Sequence, residues 1–379
     1  MRATSLLTFA GAAALFGLAS AQTSNTNVPK FNYGTANPNM IGVKGRNKNG
    51  PTNPAAPSLN TPINQTSEAR LVSVNSVDDW CTFSSPDGKA IADTESYTVA
   101  YCTKARNNAR VIPDGTVTAA HFVKTPLYVQ LMALGDFTKI GIQAGDEGGE
   151  LDPHGATNMG NPIGGNVTSN VSGQDEFYEE WMNFVSYQQV CIRICIAGSD
   201  IAPTPLECQH TLDEMGCNWV MPGDYSDNKF DTCEGDPAYP PGLYPQGNGQ
   251  TSTFQQYFSS VYTAPGGGGV QTFVNGSPDQ QTPQAAYSLP ATSSCSTTAT
   301  IANNIKEILP SSSSSAGGMS TKTSGSGSSA TGSGNSGSSG STSNTSTNGK
   351  SSGAAFLHVP SIMAGTFVAF VAGAAAFLG

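Results

Sequence analysis

Eight cysteines constrain this chain more than any other feature: Cys81, Cys102, Cys191, Cys195, Cys208, Cys217, Cys233 and Cys295. All of them lie between two apolar ends of a 379-residue chain. An even set without close Cys-x-x-Cys pairs reads as four disulfides and not as a metal site. Eight cysteines admit about 105 connectivities, so spacing settles little. One geometric statement is possible. Cys191-Ile-Arg-Ile-Cys195 alternates like a strand, and four strand residues span roughly 13 Å, beyond the reach of a single disulfide. If the segment is extended, those two cysteines bond elsewhere. Cys81 with Cys102 is the preferred pair, because the two flank a turn-rich segment between strand-like runs.

The ends fit an oxidising, extracellular setting. Met1-Arg2, an apolar run over 6–18 and the small-x-small sequence Ala19-Ser20-Ala21 have the layout of a secretory signal peptide. The run is too short to span a bilayer, and Gln22 is the expected mature N-terminus. At the other end, 361–379 is apolar and uncharged, with no Lys or Arg behind it. Small residues precede it at Ser351-Ser352-Gly353-Ala354. This reads as a GPI-transfer signal, with attachment at Ser352 and removal of a tail over 353–379. A retained single span is the alternative. The expected location is the extracellular face of the plasma membrane or the cell wall.

Charged residues make up 12% of the chain, with a net charge of −10 and no basic run, which argues against nucleic acid as a partner. Five sequons offer N-glycosylation at Asn64, Asn166, Asn170, Asn275 and Asn344. Pro278, directly after the Asn275 sequon, counts against that one. Residues 22–67 are rich in Asn, Pro, Thr and Gly without apolar periodicity, and read as a disordered arm. Residues 306–352 are dominated by Ser, Gly and Thr, a glycosylated stalk whose ends would stand roughly 35 Å apart as a bare coil.

Between arm and stalk, 68–305 reads as one disulfide-rich globular domain. Short alternating runs at 97–101, 117–123, 127–134 and 139–143 are separated by Gly, Pro and Asp, which suggests strands. Two helices are expected. One covers 175–189, where Phe177, Trp181, Phe184, Val185 and Gln188 share a helical face behind four early acids. The other starts at Thr204 as N-cap, with Pro205 in the first turn, Glu207 completing a capping box and Gly216 at C′. The fold class is therefore mainly β with two short helices, a disulfide-stapled β-sandwich or barrel flanked by disordered arm and stalk.

Chemistry could sit in the polar run over 145–155, GDEGGELDPHG. Asp146, Glu150, Asp152 and His154 could split acid and base roles on a glycosidic bond, or hold a divalent cation. They could equally be loop acids that satisfy backbone N–H groups beside turn glycines. The spacing fits neither an EF-hand nor a His-Glu-x-x-His helix. No catalytic residue, metal ligand or cofactor is assigned on this basis. His121, beside Ala120 and Phe122, reads as structural. Trp219, Tyr225, Phe230, Tyr239 and Tyr244 either stack on sugar rings or fill a small core.

Three stretches, 136–167 (DFTKIGIQAGDEGGELDPHGATNMGNPIGGNV), 207–225 (ECQHTLDEMGCNWVMPGDY) and 233–245 (CEGDPAYPPGLYP), resemble the macrophage-activating-glycoprotein-like family of fungal secreted proteins. The resemblance covers the segment from Trp80 to Cys295. It implies a glycosylated, GPI-signalled protein of a fungal, basidiomycete-type cell surface, and it carries no catalytic residues. Structural, interaction or host-immune-stimulating roles follow, with cell-wall polysaccharide or host-cell receptors reached through glycans as partners. A glycan-binding, hydrolase or expansin-like domain is the alternative.

Overall fold

The computed structural model describes residues 28–155, 158–263 and 270–306. Twelve strands build most of two sheets: β1 (Leu71–Ser76), β2 (Asp79–Ser84), β3 (Val99–Cys102), β4 (Arg110–Val111), β5 (Val117–Lys124), β6 (Tyr128–Gly135), β7 (Gly149–Leu151), β8 (Asn166–Ser169), β9 (Glu176–Tyr178), β10 (Trp181–Val185), β11 (Gln189–Cys195) and β12 (Phe230–Asp236). The first sheet has the order β4-β3-β2-β1-β8-β9. The second runs β12-β5-β6-β11-β10-β7, with the late strand Ala291–Thr298 outside β12. Two short ribbons, Leu243–Pro245 with Thr251–Thr253 and Phe258–Thr263 with Val270–Asn275, follow β12. The fold is mainly β and disulfide-stapled, and the sheets do not close into a barrel.

Alternation decides where the core lies. Val129, Leu131 and Ala133 of β6 and Val190, Ile192 and Ile194 of β11 enter the core between the sheets. Tyr128, Met132, Cys191 and Cys195, one residue out of step, enter a second core on the opposite face. Each fully buried Val, Leu or Ile contributes about 1.5–3 kcal/mol of transfer free energy. Phe83 of β2 meets Trp181 of β10 across the first core, with ring centroids 5.3 Å apart. Asn183 bridges the layers: its Oδ1 accepts from Thr82 Oγ1 and Phe83 N, both at 3.0 Å, and its Nδ2 donates to Cys191 O at 2.9 Å.

The second core is closed by a segment that disulfides hold in place. Cys81–Cys102 joins paired residues of β2 and β3, the expected partner choice. Cys191 bonds Cys217 and Cys195 bonds Cys208, so the extended spacing does send the two cysteines to different partners. Cys233–Cys295 ties β12 to the late strand. Arg193, between the two β11 cysteines, is fully buried. Its guanidinium donates to Gln130 Oε1 at 2.6 and 2.9 Å and to Glu207 O at 2.8 Å, lies 3.4 Å from Glu207 Oε2, and stacks 4.1 Å from the Tyr128 ring centroid.

Several expectations are corrected. The helix over 175–189 is β9, β10, a tight turn and the start of β11. Trp181 and Val185 face one core while Met182 and Phe184 face the other, so a strand buried on both sides presents the continuous apolar run that a helix also would. The helix after Thr204 is two single turns, α2 (Thr204–Glu207) and α3 (Cys217–Val220), in addition to α1 (Ile91–Thr94). The capping box does not form. Thr204 Oγ1 donates to Gly42 O instead, Pro203 is the N-cap, and Gly216 precedes α3 and does not end α2. The run at 139–143 contributes to a 3-10 turn, Phe137–Ile140, and not to a strand.

The arm is also corrected over its described part, 28–67. It is ordered by backbone pairing: Asn37 N donates to Gly198 O at 2.7 Å, Gly45 N to Phe177 O at 2.8 Å, and Asn107 N to Ser58 O at 2.8 Å. Val43 is fully buried in the first core and Phe31 joins the second. The signal peptide over 1–21, the stalk beyond Lys306, the tail, Asn344 and Ser352 lie outside the described residues. Among the described residues, no helix is long and apolar enough to cross a membrane.

Candidate functional site

The acid-rich run lands at the free edge of the second sheet, where β7 pairs with β10. Gly148 has φ 89°, and a Cβ there would meet Val185 O at 1.5 Å, so the approach of this loop to the sheet depends on glycine. Asp146 is a backbone cap: its Oδ2 accepts from Ile91 N at 2.8 Å and its Oδ1 from Gly148 N at 2.9 Å. Asp152 Oδ1 accepts from His154 N at 2.7 Å and Gly155 N at 2.8 Å. These two acids satisfy the turn-forming reading of the sequence.

Glu150 and His154 do more. Glu150 is buried and no N–H or O–H donor reaches either carboxyl oxygen. The Asp213 carboxyl is its neighbour, and carboxyls brought together out of water resist ionising. Burial, reinforced by Asp213, Asp152 and Glu95, raises the Glu150 carboxyl well above the ordinary range. Glu95 follows: burial pushes it up to about 7, against the opposing bond from Asn161 Nδ2 at 3.0 Å. His154 Nε2 lies 3.0 Å from Glu180 Oε2 and Nδ1 3.1 Å from Asn158 Oδ1. Burial opposes its charge, but Glu180, Asn158 and Asp152 outweigh this and raise its pKa.

His210 completes the cluster. Its ring stacks on His154 with centroids 4.2 Å apart, and its Nδ1 lies 4.0 Å from Asp152 Oδ1. Burial, then the charge of His154, lowers its pKa. The Cys195–Cys208 disulfide holds the chain that carries His210 and Asp213, and Cys195 N donates to Glu180 O at 3.0 Å. The structure thus gathers Glu150, Asp152 and His154 with Glu95, Glu180, His210 and Asp213, and leaves Asp146 aside. His210 is a histidine the sequence could bring to His154 only through the fold, and it does meet it. Glu95, Glu180 and Asp213 were missed because they come from distant segments. The cluster stores protons, but the Glu150 oxygens are sealed from solvent, so no substrate reaches its one strongly raised acid.

A second trio, His121, Asp224 and Asp231, has the proximity of a cation site. Lys229 Nζ already lies 3.1 Å from Asp224 Oδ2 and 3.3 Å from Asp231 Oδ2. His121 Nδ1 is 2.8 Å from Asp231 Oδ1 and Nε2 2.9 Å from Ser226 O, so both ring nitrogens are engaged. His121 is structural, pairing across the parallel β5–β12 register. The aromatics from α3 onward also fill a core. Trp219 is buried with Nε1 donating to Pro283 O, and Tyr244 OH donates to Ala285 O.

The relatives of this chain are fungal. Over 197 residues it is 44% identical to "Appressorium protein ROW1" of Mycosarcoma maydis, covering 51% of this chain and 44% of that protein. Over 186 residues it is 45% identical to "Appressorium protein ROW2" of the same fungus, covering 48% of this chain and 63% of that protein. The chain therefore spans less than two thirds of either relative. No family model matches, and no solved structure matches.

The sequons are not equivalent. Asn64 and Asn170 are exposed, and Asn275 is half-buried with Nδ2 donating to Gln256 O at 2.8 Å. Asn166 is the enclosed one. It is 2% exposed, its Oδ1 accepts from Lys48 N at 2.7 Å, and its Nδ2 donates to Asn47 Oδ1 at 3.2 Å. A glycan on Nδ2 would displace the 47–50 segment.

Proposed function

We propose that this is a fungal cell-surface glycoprotein with a structural or interaction role, carried on a stalk and held at the outer leaflet by a GPI anchor. The observation that carries the reading is that all eight cysteines are paired, in four disulfides that persist only in an oxidising, extracellular setting. The similarity to two appressorium proteins supports a role at a fungal surface in infection. The resemblance to macrophage-activating-glycoprotein-like proteins belongs to the same proposal, with host-cell receptors engaged through glycans on Asn64 and Asn170. A hydrolase or expansin-like activity is the weaker reading, because the raised acid Glu150 is closed off and Asp146 and Asp152 serve as caps. Incubation of the purified protein with wall polysaccharides tests it. Unchanged chain lengths are expected, and release of shortened sugar chains would replace the structural reading with an enzymatic one.

A further inference from the structure

Beside the carboxyl cluster, on the far side of His154, lies an open groove of about 900 Å3. Four segments line it: 46–51 of the ordered arm, residues 153–154, 158–159 and 163–164 after β7, Arg70 just ahead of β1, and Glu179 between β9 and β10. Its rim is fixed. Asn166 clamps the backbone of Lys48 and the side chain of Asn47, and a Cβ on Gly50 would meet Gly164 O at 2.4 Å. The groove is thus shaped before any ligand arrives.

Its charge runs against that of the molecule. The chain carries a net charge of −10, yet Arg46, Lys48 and Arg70 line the groove against one carboxylate, Glu179. Lys48 Nζ reaches Glu179 Oε1 only at 3.9 Å. Arg70 donates from Nη1 to Ile163 O at 2.6 Å, but its Nε is buried without a partner and it makes no ion pair among the described residues. Arg46 is exposed and has no hydrogen-bond or ion-pair partner among the described residues. Glu68 acts on Arg70 through charge alone, and the planar guanidinium fork fits carboxylate, sulfate or phosphate oxygens in pairs.

The rest of the lining narrows the ligand. Asn49 and Asn158 offer amides of the kind that bind hydroxyls, and Met159 and Ile163 are 53% and 41% exposed beside them. Amides for hydroxyls and apolar surface for C–H faces suit a sugar ring. An open groove of this size accommodates several rings and is far larger than one small ion needs. We propose that the groove binds an anionic sugar chain, with Arg46 and Arg70 holding its carboxylate or sulfate groups. Anion binding by the purified protein does not depend on where the protein is displayed.

The test is titration calorimetry of the full secreted protein with a galacturonate oligomer, a sulfated glycosaminoglycan oligomer and a neutral glucan oligomer. Either charged oligomer is expected to bind about tenfold or more tightly than the neutral one, and to weaken as salt rises from roughly 50 to 300 mM. The oligomer that binds better identifies the oxyanion. Arg46 is exposed, so Arg46→Glu should leave the melting temperature unchanged while weakening that binding about tenfold. Equal affinity for the neutral oligomer, no binding of either charged one, or an unaltered Arg46→Glu variant would overturn the proposal.

Discussion

His154 and His210 stack with ring centroids 4.2 Å apart, one from the loop after β7 and the other from the segment that Cys195–Cys208 ties to β11. The contact marks where the sheet edge, the disulfide-held segment and the groove meet. Glu180 and Asp152 flank it, and the proton affinities of the cluster behind them should set how the domain responds to pH.

Stability is expected to fall as pH rises from about 5 to about 8. Glu95 is raised to about 7, Glu207 to about 8 and Glu150 well above its ordinary value, each first of all by burial. Groups that hold protons more tightly when folded contribute fully below the unfolded carboxyl pKa, and that contribution is lost as pH climbs through the folded value. Each costs about 1.4 kcal/mol per pH unit in that window. His154, raised, adds to the downward slope and His210, lowered, opposes it. Asp224, lowered to about 2, opposes it only in strong acid, and the three buried carboxyls set the sign. Melting temperatures across this range should slope downward, and Glu95→Gln should flatten the slope. A flat wild-type profile would contradict the burial of these acids.

Removing the inter-sheet amide should be costly. Asn183→Ala leaves Thr82 Oγ1, Phe83 N and Cys191 O without this partner inside the core. A loss on the order of 3 kcal/mol is expected in urea unfolding. A change below about 0.5 kcal/mol would mean that the layers do not depend on it.

The disulfides should open in order. The strand that carries Cys295 is exposed along its whole length, whereas Cys191, Cys195 and Cys208 are fully buried. Mild reductant followed by alkylation and peptide mass mapping should label Cys233 and Cys295 first. Labelling of Cys191 or Cys195 ahead of them would contradict the packing of the second core.

Glycopeptide mapping should find sugar on Asn64 and Asn170 and none on Asn166, whose amide holds Lys48 and Asn47. Occupancy at Asn166 would mean that the arm does not dock as described.

Much of the fold was legible, and the failures share a cause. β5, β6 and β11 show in the sequence because their alternation separates two environments, and Cys191–Cys195 reports its own extended geometry. The strand β10 was unreadable because Phe177, Trp181, Phe184 and Val185 also fall on one helical face behind four acids, with no Gly or Pro between β9, β10 and β11. The arm was misread because Asn, Pro and Gly dock it through backbone and amide hydrogen bonds, with only isolated apolar anchors such as Phe31 and Val43. At the site, Glu150, Asp152 and His154 stand close together in the chain, but their partners Glu95, Glu180, His210 and Asp213 meet them only in space. Arg46 and Arg70 gave no sequence signal at all, since neither sits in a basic run.

The surface reading is tested most directly by labelling intact, unpermeabilised fungal cells with an antibody against the folded domain, before and after phosphatidylinositol-specific phospholipase C. A bright cell outline that the enzyme strips into the medium is expected. An outline that the enzyme leaves in place would contradict the lipid anchor, and labelling that appears only after permeabilisation would contradict the cell-surface role itself.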